Sequence, residues 1–455
     1  MTPKNHTGYA PDHRSNSRAS RETNFQHERM ADLIVRSING VPVPRKEGWT
    51  KGGWVIFLIS FFLLGRVQES IQFLWPLRLT LLSCLLAASL IITNGGFKQI
   101  RLGKLFHSKT FKYYFFIIII SGIGIPFSIY NSNSLAYFIE IFLQINAIYI
   151  LGLNSTVDSF ADLNPVVSAV ITSMACLSLI IIFMPRYIDG RATAIYTYDP
   201  NDFSLLMTII AAFLYPGRHH FTSLQRLMTY TSVIMAFVSV YLSQSRGGFA
   251  ALFAAIMAES LFHGKKSFVT RLLVFFVLAV FVVFPNADNL GRLGTITDVQ
   301  NDYNTNSSSG RIAIWERGLN MIIEHPVLGV GLKTFRYAEG ASHEGGKWSE
   351  AHNSFIEIGA ELGVPGLLAF LGMLLSAFRL ARPVSPEDWI GRGIRLSLVA
   401  FVVGGMFLSW AYHFVLYFFL GIAMMRERLL FEGVPITWRT TPPLKSEKRT
   451  PQERP

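Results

Sequence analysis

Between residues 52 and 425 the chain is a succession of apolar blocks, each near the roughly 20 residues that carry a helix through the hydrocarbon of a bilayer. The blocks run 52–66, 72–93, 112–130, 135–153, 164–184, 201–216, 227–243, 247–262, 268–285, 353–378, 394–409 and 411–425. The 52–66 and 201–216 blocks are short for a crossing. Lipid offers no water to backbone N–H and C=O groups, so blocks of this length are expected to close those bonds internally as helices. A membrane barrel would need short alternating segments instead, and these are absent. Only 15% of the residues are charged and 51% are hydrophobic, against roughly 25% charged in a soluble chain. The expected fold is an all-α polytopic membrane protein of about 12 transmembrane helices over residues 52–425.

The basic residues orient these helices, because cytoplasmic loops carry an excess of Lys and Arg. With both termini inside, the cytoplasmic segments hold 30 of the 41 Lys and Arg, the external segments hold 10, and Arg78 lies within a block. Residues 1–51 are polar, have no signal-peptide apolar core, and are expected to form a disordered basic tail in the cytoplasm. Residues 426–455 form a second cytoplasmic basic tail, solvated and attracted to anionic headgroups of membrane lipids. The net charge of +12 is thus orientation information rather than a sign of nucleic acid as a partner. Cys84 and Cys176 sit within apolar blocks as small hydrophobes, and no Cys/His spacing resembles a zinc site. Sequons at Asn5, Asn154 and Asn306 are read as chance matches, since two of them face the cytoplasm in this orientation.

One long polar excursion, 286–352, interrupts the blocks and is expected to form a large external loop. Its Asn/Ser/Thr/Gly-rich part, Asn301 to Gly310, has the composition of a flexible segment. From Arg311, the residues Ile312, Trp315, Leu319, Ile322 and Ile323 recur at helical spacing, with Ser308 or Ser309 as cap and Pro326 as terminator. This predicts a short amphipathic helix near the membrane surface, or one that simply packs on the bundle.

Ionisable groups are costly in lipid, so their depth is informative. Arg78, Glu140, Arg246, Glu357, Glu361 and His413 all fall in the outer halves of their blocks, level with Arg186, Arg191, Asp199, Asn201 and Asp202 in the external turn 185–202. Glu259, near an inner end, is the exception. Such a belt fits a shared external cavity, although scattered helix-to-helix ion pairs would produce part of it. His352 ends the excursion and opens the next block, where a neutral imidazole can take a hydroxyl proton near neutral pH. Its plain alternative is a hydrogen-bonded anchor at the membrane edge. Asn353 and Ser354 are placed either to orient it or to cap the helix, and Glu357 and Glu361, one turn apart, are placed to pair with arginines. Arg246 precedes Gly247-Gly248, and Arg311 opens a helix whose free N–H groups favour anions. Guanidinium grips phosphate oxygens two at a time; the alternative for each arginine is an interfacial anchor. Arg186 and Arg191 extend the same anion site, whereas Asp199-Pro-Asn201-Asp202 reads first as a helix cap.

Asp199-Pro-Asn-Asp202, Ser245-Arg-Gly-Gly248, Gly310-Arg-Ile-Ala-Ile-Trp315, His325-Pro-Val-Leu-Gly-Val-Gly331, Ala351-His-Asn-Ser354 and Glu361-Leu-Gly-Val-Pro-Gly366 appear in that order. Together, over residues 186–372, they resemble the O-antigen ligase and polysaccharide polymerase superfamily of bacterial envelope enzymes. Residues 1–185 carry little of the resemblance, and the amino-terminal tail is long for it. The resemblance implies a GT-C-like, metal-independent glycosyltransferase of the bacterial inner membrane that needs no cofactor. It would move a glycan from an undecaprenyl-diphosphate-linked donor to an acceptor hydroxyl on the periplasmic side, with inversion. The acceptor would be a lipid A-core in a ligase or a second lipid-linked glycan in a polymerase. It also implies that His352 is the catalytic base and that Arg246 and Arg311 bind the diphosphate. The rival class is a transporter or flippase for lipid-linked glycans, which twelve spans permit. Alternating access favours repeated halves and mid-membrane polar groups, and this sequence has neither. A receptor or scaffold that uses the loop to bind a partner is a third reading.

Overall fold

A computed structural model describes residues 49–93, 101–263, 310–342 and 348–438. Every apolar block within these residues is helical. The helices are α1 (Lys51–Gly65), α2 (Leu79–Thr93), α3 (Lys109–Gly124), α4 (Asn131–Tyr137), α5 (Ile148–Thr156) and α6 (Asn164–Phe183). They continue as α7 (Pro200–Leu214), α8 (Ser223–Ser243), α9 (Arg246–His263), α10 (Arg311–Glu324), α11 (Phe335–Ala341), α12 (Ser354–Leu380), α13 (Trp389–Gly405) and α14 (Phe414–Phe431). A π-helical stretch, Phe138–Ala147, joins α4 to α5. The 268–285 block, all of the excursion before Gly310 (with the cap candidates Ser308 and Ser309), and the tail 1–48 lie outside the described residues.

Four helical segments among the described residues are long and apolar enough to cross a membrane: Lys109–Phe127, Phe160–Phe183, Ser223–Ser243 and Ser354–Leu380. Lys51–Gly65 and Leu79–Ser89 are apolar but shorter. The helices are hydrophobic on their outward faces as well as inside, with Phe183 75%, Ile234 62% and Leu368 62% exposed. Apolar surface on that scale suits lipid rather than water. The protein is a helical, multi-pass membrane protein.

Inside, α12 lies along α3, α1 along α6, and α7 between α8 and α13. Small residues allow the closest approaches. A Cβ on Gly393 would lie 2.5 Å from the Phe213 carbonyl oxygen, and one on Gly404 would lie 2.4 Å from Leu205 Cδ1. The turn 185–202 holds a two-stranded ribbon, β1 (Arg186–Ile188) antiparallel to β2 (Arg191–Thr193), so the fold is not wholly helical. Its tight turn is Asp189-Gly190, both at positive φ, the pair such a hairpin demands.

The carboxyl-terminal boundary differs from expectation. Helix α14 continues to Phe431, burying Arg426 and Arg428, and the chain stays packed to Trp438, whose indole donates to the Glu387 carbonyl at 2.8 Å. Arg426 pairs with Asp388 through Nε at 3.0 Å, and Arg428 donates to the Asn154 carbonyl at 2.8 Å. Asn154 is itself fully buried, which agrees with its sequon being a chance match. A buried guanidinium needs such partners to offset lost hydration, so residues 426–438 belong to the packed body rather than to a solvated tail.

Two glycine-rich motifs of the sequence interlock. Helix α12 breaks at Gly363 (φ 69°), just before Pro365, and so releases carbonyls of its first segment. The loop after α10 takes them up. Val330 N–H donates to the Ala360 carbonyl at 2.8 Å, Gly331 N–H to the Glu361 carbonyl at 3.0 Å, and Val364 N–H returns to the Pro326 carbonyl at 2.8 Å. A Cβ on Gly363 would lie 2.6 Å from the Pro326 oxygen. Gly363→Ala is therefore expected to destabilise the protein by about 1–3 kcal/mol through overpacking at a left-handed position. Thermal unfolding in detergent checks this, and an unchanged midpoint would show that the interlock contributes little.

Candidate functional site

Within the excursion the structure describes residues 310–342 and 348–352. Helix α10 starts where expected, but its N-cap is Gly310 and no side chain caps it. Its packed face is Ile314, Gly318 and Met321, whereas Ile312, Leu319 and Ile323 of the expected stripe are exposed. Apolar side chains thus point away from the bundle as well as into it, the pattern of a helix at a lipid boundary. Trp315 Nε1 donates to the Ala351 carbonyl at 3.0 Å, so the second turn of α10, one turn on from Arg311, is tied to the residue before His352. Arg317 pairs with the fully buried Glu339 at 2.6 Å, and Glu339 also accepts Ser349 N–H at 3.0 Å. These bonds lead the chain back to the bundle at a set position.

There His352 adopts φ 48°, a left-handed conformation uncommon outside glycine. Its N–H donates to Ser409 Oγ at 2.8 Å. Ser354 Oγ donates to the Leu408 carbonyl and accepts Trp410 N–H at 2.9 Å, and Asn353 Oδ1 accepts Phe355 and Ile356 N–H at 2.9 and 3.2 Å. Asn353 is thus the helix cap, while Ser354 stitches the start of α12 to the turn between α13 and α14. His352 lines a cavity of about 420 Å³ with Arg66, Asp199, Asp202, Lys333 and Glu350, and with Glu357 and His413.

The acidic residues of α12 find partners other than the expected arginines. Glu357, fully buried, takes Lys333 Nζ at 3.1 Å and Ala411 N–H at 3.1 Å. Glu361, one turn later, accepts the backbone N–H groups of Lys333 at 2.7 Å and Phe335 at 2.9 Å. Both carboxylates set the loop carrying Lys333 rather than a guanidinium. Lys333 also reaches Glu350 at 3.3 Å. Burial by itself would lower the Lys333 pKa, but Glu357, Tyr137, Glu350 and Glu361 outweigh burial and hold it well above the usual lysine range. Lys333 therefore keeps its charge through neutral and mildly alkaline pH.

Asp199 and Asp202 form a reciprocal capping box at the start of α7, with Asp202 N–H on Asp199 Oδ1 at 2.8 Å. Asp202 Oδ1 also accepts Trp410 Nε1 at 2.7 Å, and Trp410 stacks on His413 with ring centres 4.0 Å apart. Asn201 Nδ2 donates to Asp199 Oδ2 at 3.1 Å and its Oδ1 accepts Arg191 Nη1 at 3.3 Å. Arg191 is nearly buried in this bracing role.

The belt expected from the sequence is divided. Arg186, Arg78 and Glu140 line a second cavity of about 970 Å³, and Arg66 and Thr197 belong to the walls of both. Arg191, Arg246, Arg311, Asn201, Asn353 and Glu361 line neither cavity. Arg246 opens α9 beside Gly247, where a Cβ would lie 2.9 Å from Phe407 Cβ, two residues before the Ser409 that holds His352. The helices that Arg246 and Arg311 open are thus tied near the His352 cavity, and neither arginine forms its wall. The cations on that wall, Arg66 and Lys333, were not among the sequence candidates. Arg66 is a single cation after a short block, and Lys333 follows the Gly329-Val-Gly331 turn, so no periodicity marks either one.

Of the seven non-glycine residues at positive φ among the described residues, four (Arg66, Arg78, Lys333 and His352) line these two cavities. Sparsely populated backbone conformations concentrate at functional sites. Among the described residues no group of three or more His, Cys, Asp or Glu is arranged to hold a metal ion.

Residues 231–371, which run from α8 through the loop into α12, match the family model described as O-antigen ligase. A protein of Rickettsia conorii, provisionally named a polysaccharide ligase, is 38% identical over 74 residues, which is 14% of this chain and 18% of that relative. The chain thus spans less than a fifth of the length of that curated relative. The matched stretch, about a third of the chain, carries Arg246, Arg311, His352, Glu357 and Glu361, and this similarity supports the O-antigen ligase and polysaccharide polymerase superfamily.

Proposed function

We propose that the protein is a glycosyltransferase that moves a glycan from undecaprenyl diphosphate to an acceptor hydroxyl, as an O-antigen ligase or a repeat-unit polymerase. In this reading it crosses the bacterial inner membrane twelve times in a GT-C-like arrangement, with both termini cytoplasmic and residues 286–352 periplasmic. The observation that carries the proposal is His352, held at φ 48° on the wall of a polar cavity beside the starts of the Arg246 and Arg311 helices.

His352 takes the acceptor hydroxyl proton while that oxygen forms its bond to the anomeric carbon. The bond from that carbon to the phosphate oxygen breaks, and its electron pair leaves with the diphosphate. Attack from the opposite face inverts the anomeric carbon. Arg246 and Arg311 meet the charge that grows on the leaving diphosphate, whereas Arg186, on the larger cavity, and Arg191, which braces Asn201, stand apart from it. Fixed cations at such a point lower the barrier because they need no reorganisation. Asp199, Asn201, Asp202, Asn353, Glu357 and Glu361 act by holding the walls. The diphosphate is already an activated leaving group, so the reaction draws on neither nucleotide nor metal.

Arg246→Ala and Arg311→Ala are each expected to lower transfer by about 10²–10³-fold while the protein still inserts, the size of a lost charge-stabilising contact. The test is purified protein in liposomes with donor and acceptor both outside, using a lipid A-core and a second undecaprenyl-linked unit as alternative acceptors. Product formed without net transport supports the transferase. Transport of the donor without product would replace it with a flippase.

A further inference from the structure

The larger cavity lies beside the proposed transfer site but differs from it in charge. Its wall carries three guanidinium groups, Arg66, Arg78 and Arg186, against two carboxyl groups, Glu69 and Glu140. In the smaller cavity four carboxyl groups, Asp199, Asp202, Glu350 and Glu357, outnumber the cations Arg66 and Lys333. An anion is favoured in the first, and neutral sugar hydroxyls suit the second. The rest of the larger wall combines apolar Leu79, Leu81, Cys84, Ala136 and Ile139 with Gln68, Thr80, Tyr196 and Thr197. A cationic rim over a partly apolar wall fits a phosphate attached to a hydrocarbon chain.

The three arginines differ in how far the fold already engages them. Arg78 is exposed, has φ 41°, and its side chain makes no hydrogen bond or ion pair among the described residues. Arg186 lies 4.2 Å over the Tyr196 ring and donates to the Tyr196 carbonyl at 3.0 Å, which fixes its direction. Arg66 reaches Glu69 at 3.2 Å and Thr197 at 3.1 Å, yet its Nε is buried without a partner. Gln68 anchors the intervening segment through Thr80 at 2.7 Å. All these residues lie before position 231 and so outside the stretch that matches the ligase family.

The geometry points to a second lipid-phosphate site, distinct from the one assigned to the donor diphosphate: the larger cavity takes the phosphorylated lipid anchor of the acceptor. This rests on the transferase reading. The Arg246 helix starts beside Phe407, near the Ser409 that holds His352, whereas Arg78 and Arg186 line the larger cavity, which meets the smaller one at Arg66 and Thr197. The two amphipathic substrates would enter separately, with the acceptor hydroxyl and the sugar meeting between them.

The test has a binding arm that needs no catalysis. Full-length protein in detergent is titrated with phosphatidic acid, with diacylglycerol of the same chains, and with inorganic phosphate. Phosphatidic acid is expected to bind most tightly. Arg78→Ala should weaken it about tenfold, the scale of one charge-assisted phosphate contact, and Arg78→Lys should restore part of the loss. Arg226→Ala, a basic change at the far end of the bundle, should leave binding unaltered. Equal affinity for diacylglycerol, equal competition by inorganic phosphate, or an unaffected Arg78→Ala variant would each overturn the site. In the transfer arm, Arg78→Ala should raise the acceptor KM about tenfold and leave the donor KM in place; a rise in donor KM instead would reassign the cavity to the donor. If native protein transfers to neither acceptor, the transferase reading falls, and the binding arm still decides whether the cavity holds lipid phosphate.

Discussion

Replacing His352 with alanine is expected to reduce glycan transfer by about 10²–10⁴-fold, the range for a lost general base, with donor affinity little changed. The imidazole lines the cavity, while the backbone at this position is held independently of it. His352 N–H rests on Ser409 Oγ, Asn353 caps α12, and Ser354 bridges to Leu408 and Trp410. Alanine can keep all of these bonds, so the variant should fold and the loss should appear in turnover. Single-turnover transfer and donor binding measured on one preparation separate the two effects. A well-folded His352→Ala protein with native transfer would remove the base from the mechanism.

Glu357→Ala should cost about 3–5 kcal/mol of stability, the usual result of removing one partner from a buried ion pair. Glu357 is fully buried between Lys333 Nζ and the Ala411 N–H. Truncation leaves a partly buried ammonium with only Glu350, and a buried N–H with no acceptor. Glu357→Gln retains an acceptor and should lose less. Glu432→Ala is the control: its pair with Lys104 at 2.8 Å is solvent-exposed and should contribute no more than about 1 kcal/mol. Thermal unfolding of the three variants in one detergent makes the comparison. Equal midpoints for Glu357→Ala and Glu432→Ala would show that the Lys333 loop is held by other bonds.

The extent of the helices was legible because it depends on composition over some twenty neighbouring residues. The ends were less so. Arg426 and Arg428 look like the start of a solvated tail, yet Asp388 and the Asn154 carbonyl lie within reach, and burial follows. Periodicity found helix α10 but not which apolar face packs: Gly318 opens room for Ile356 and Phe335, and that draws Ile314 and Met321 inward. Glu357 and Glu361 were recognised as a pair on one helix face. Their partners were missed, because Lys333 and the Phe335 N–H reach them through the break at Gly363.

By itself the sequence determined the helical, membrane-embedded character of the chain and the place of His352 just before a span. Both follow from local spacing and from the cost of charge in lipid. Only the tertiary structure decided that Arg66 and Lys333, from distant parts of the chain, share the histidine's cavity while Arg246 and Arg311 do not line it. Which side chains meet is set by how helices from remote segments pack and where they break, and no periodicity along the chain encodes that.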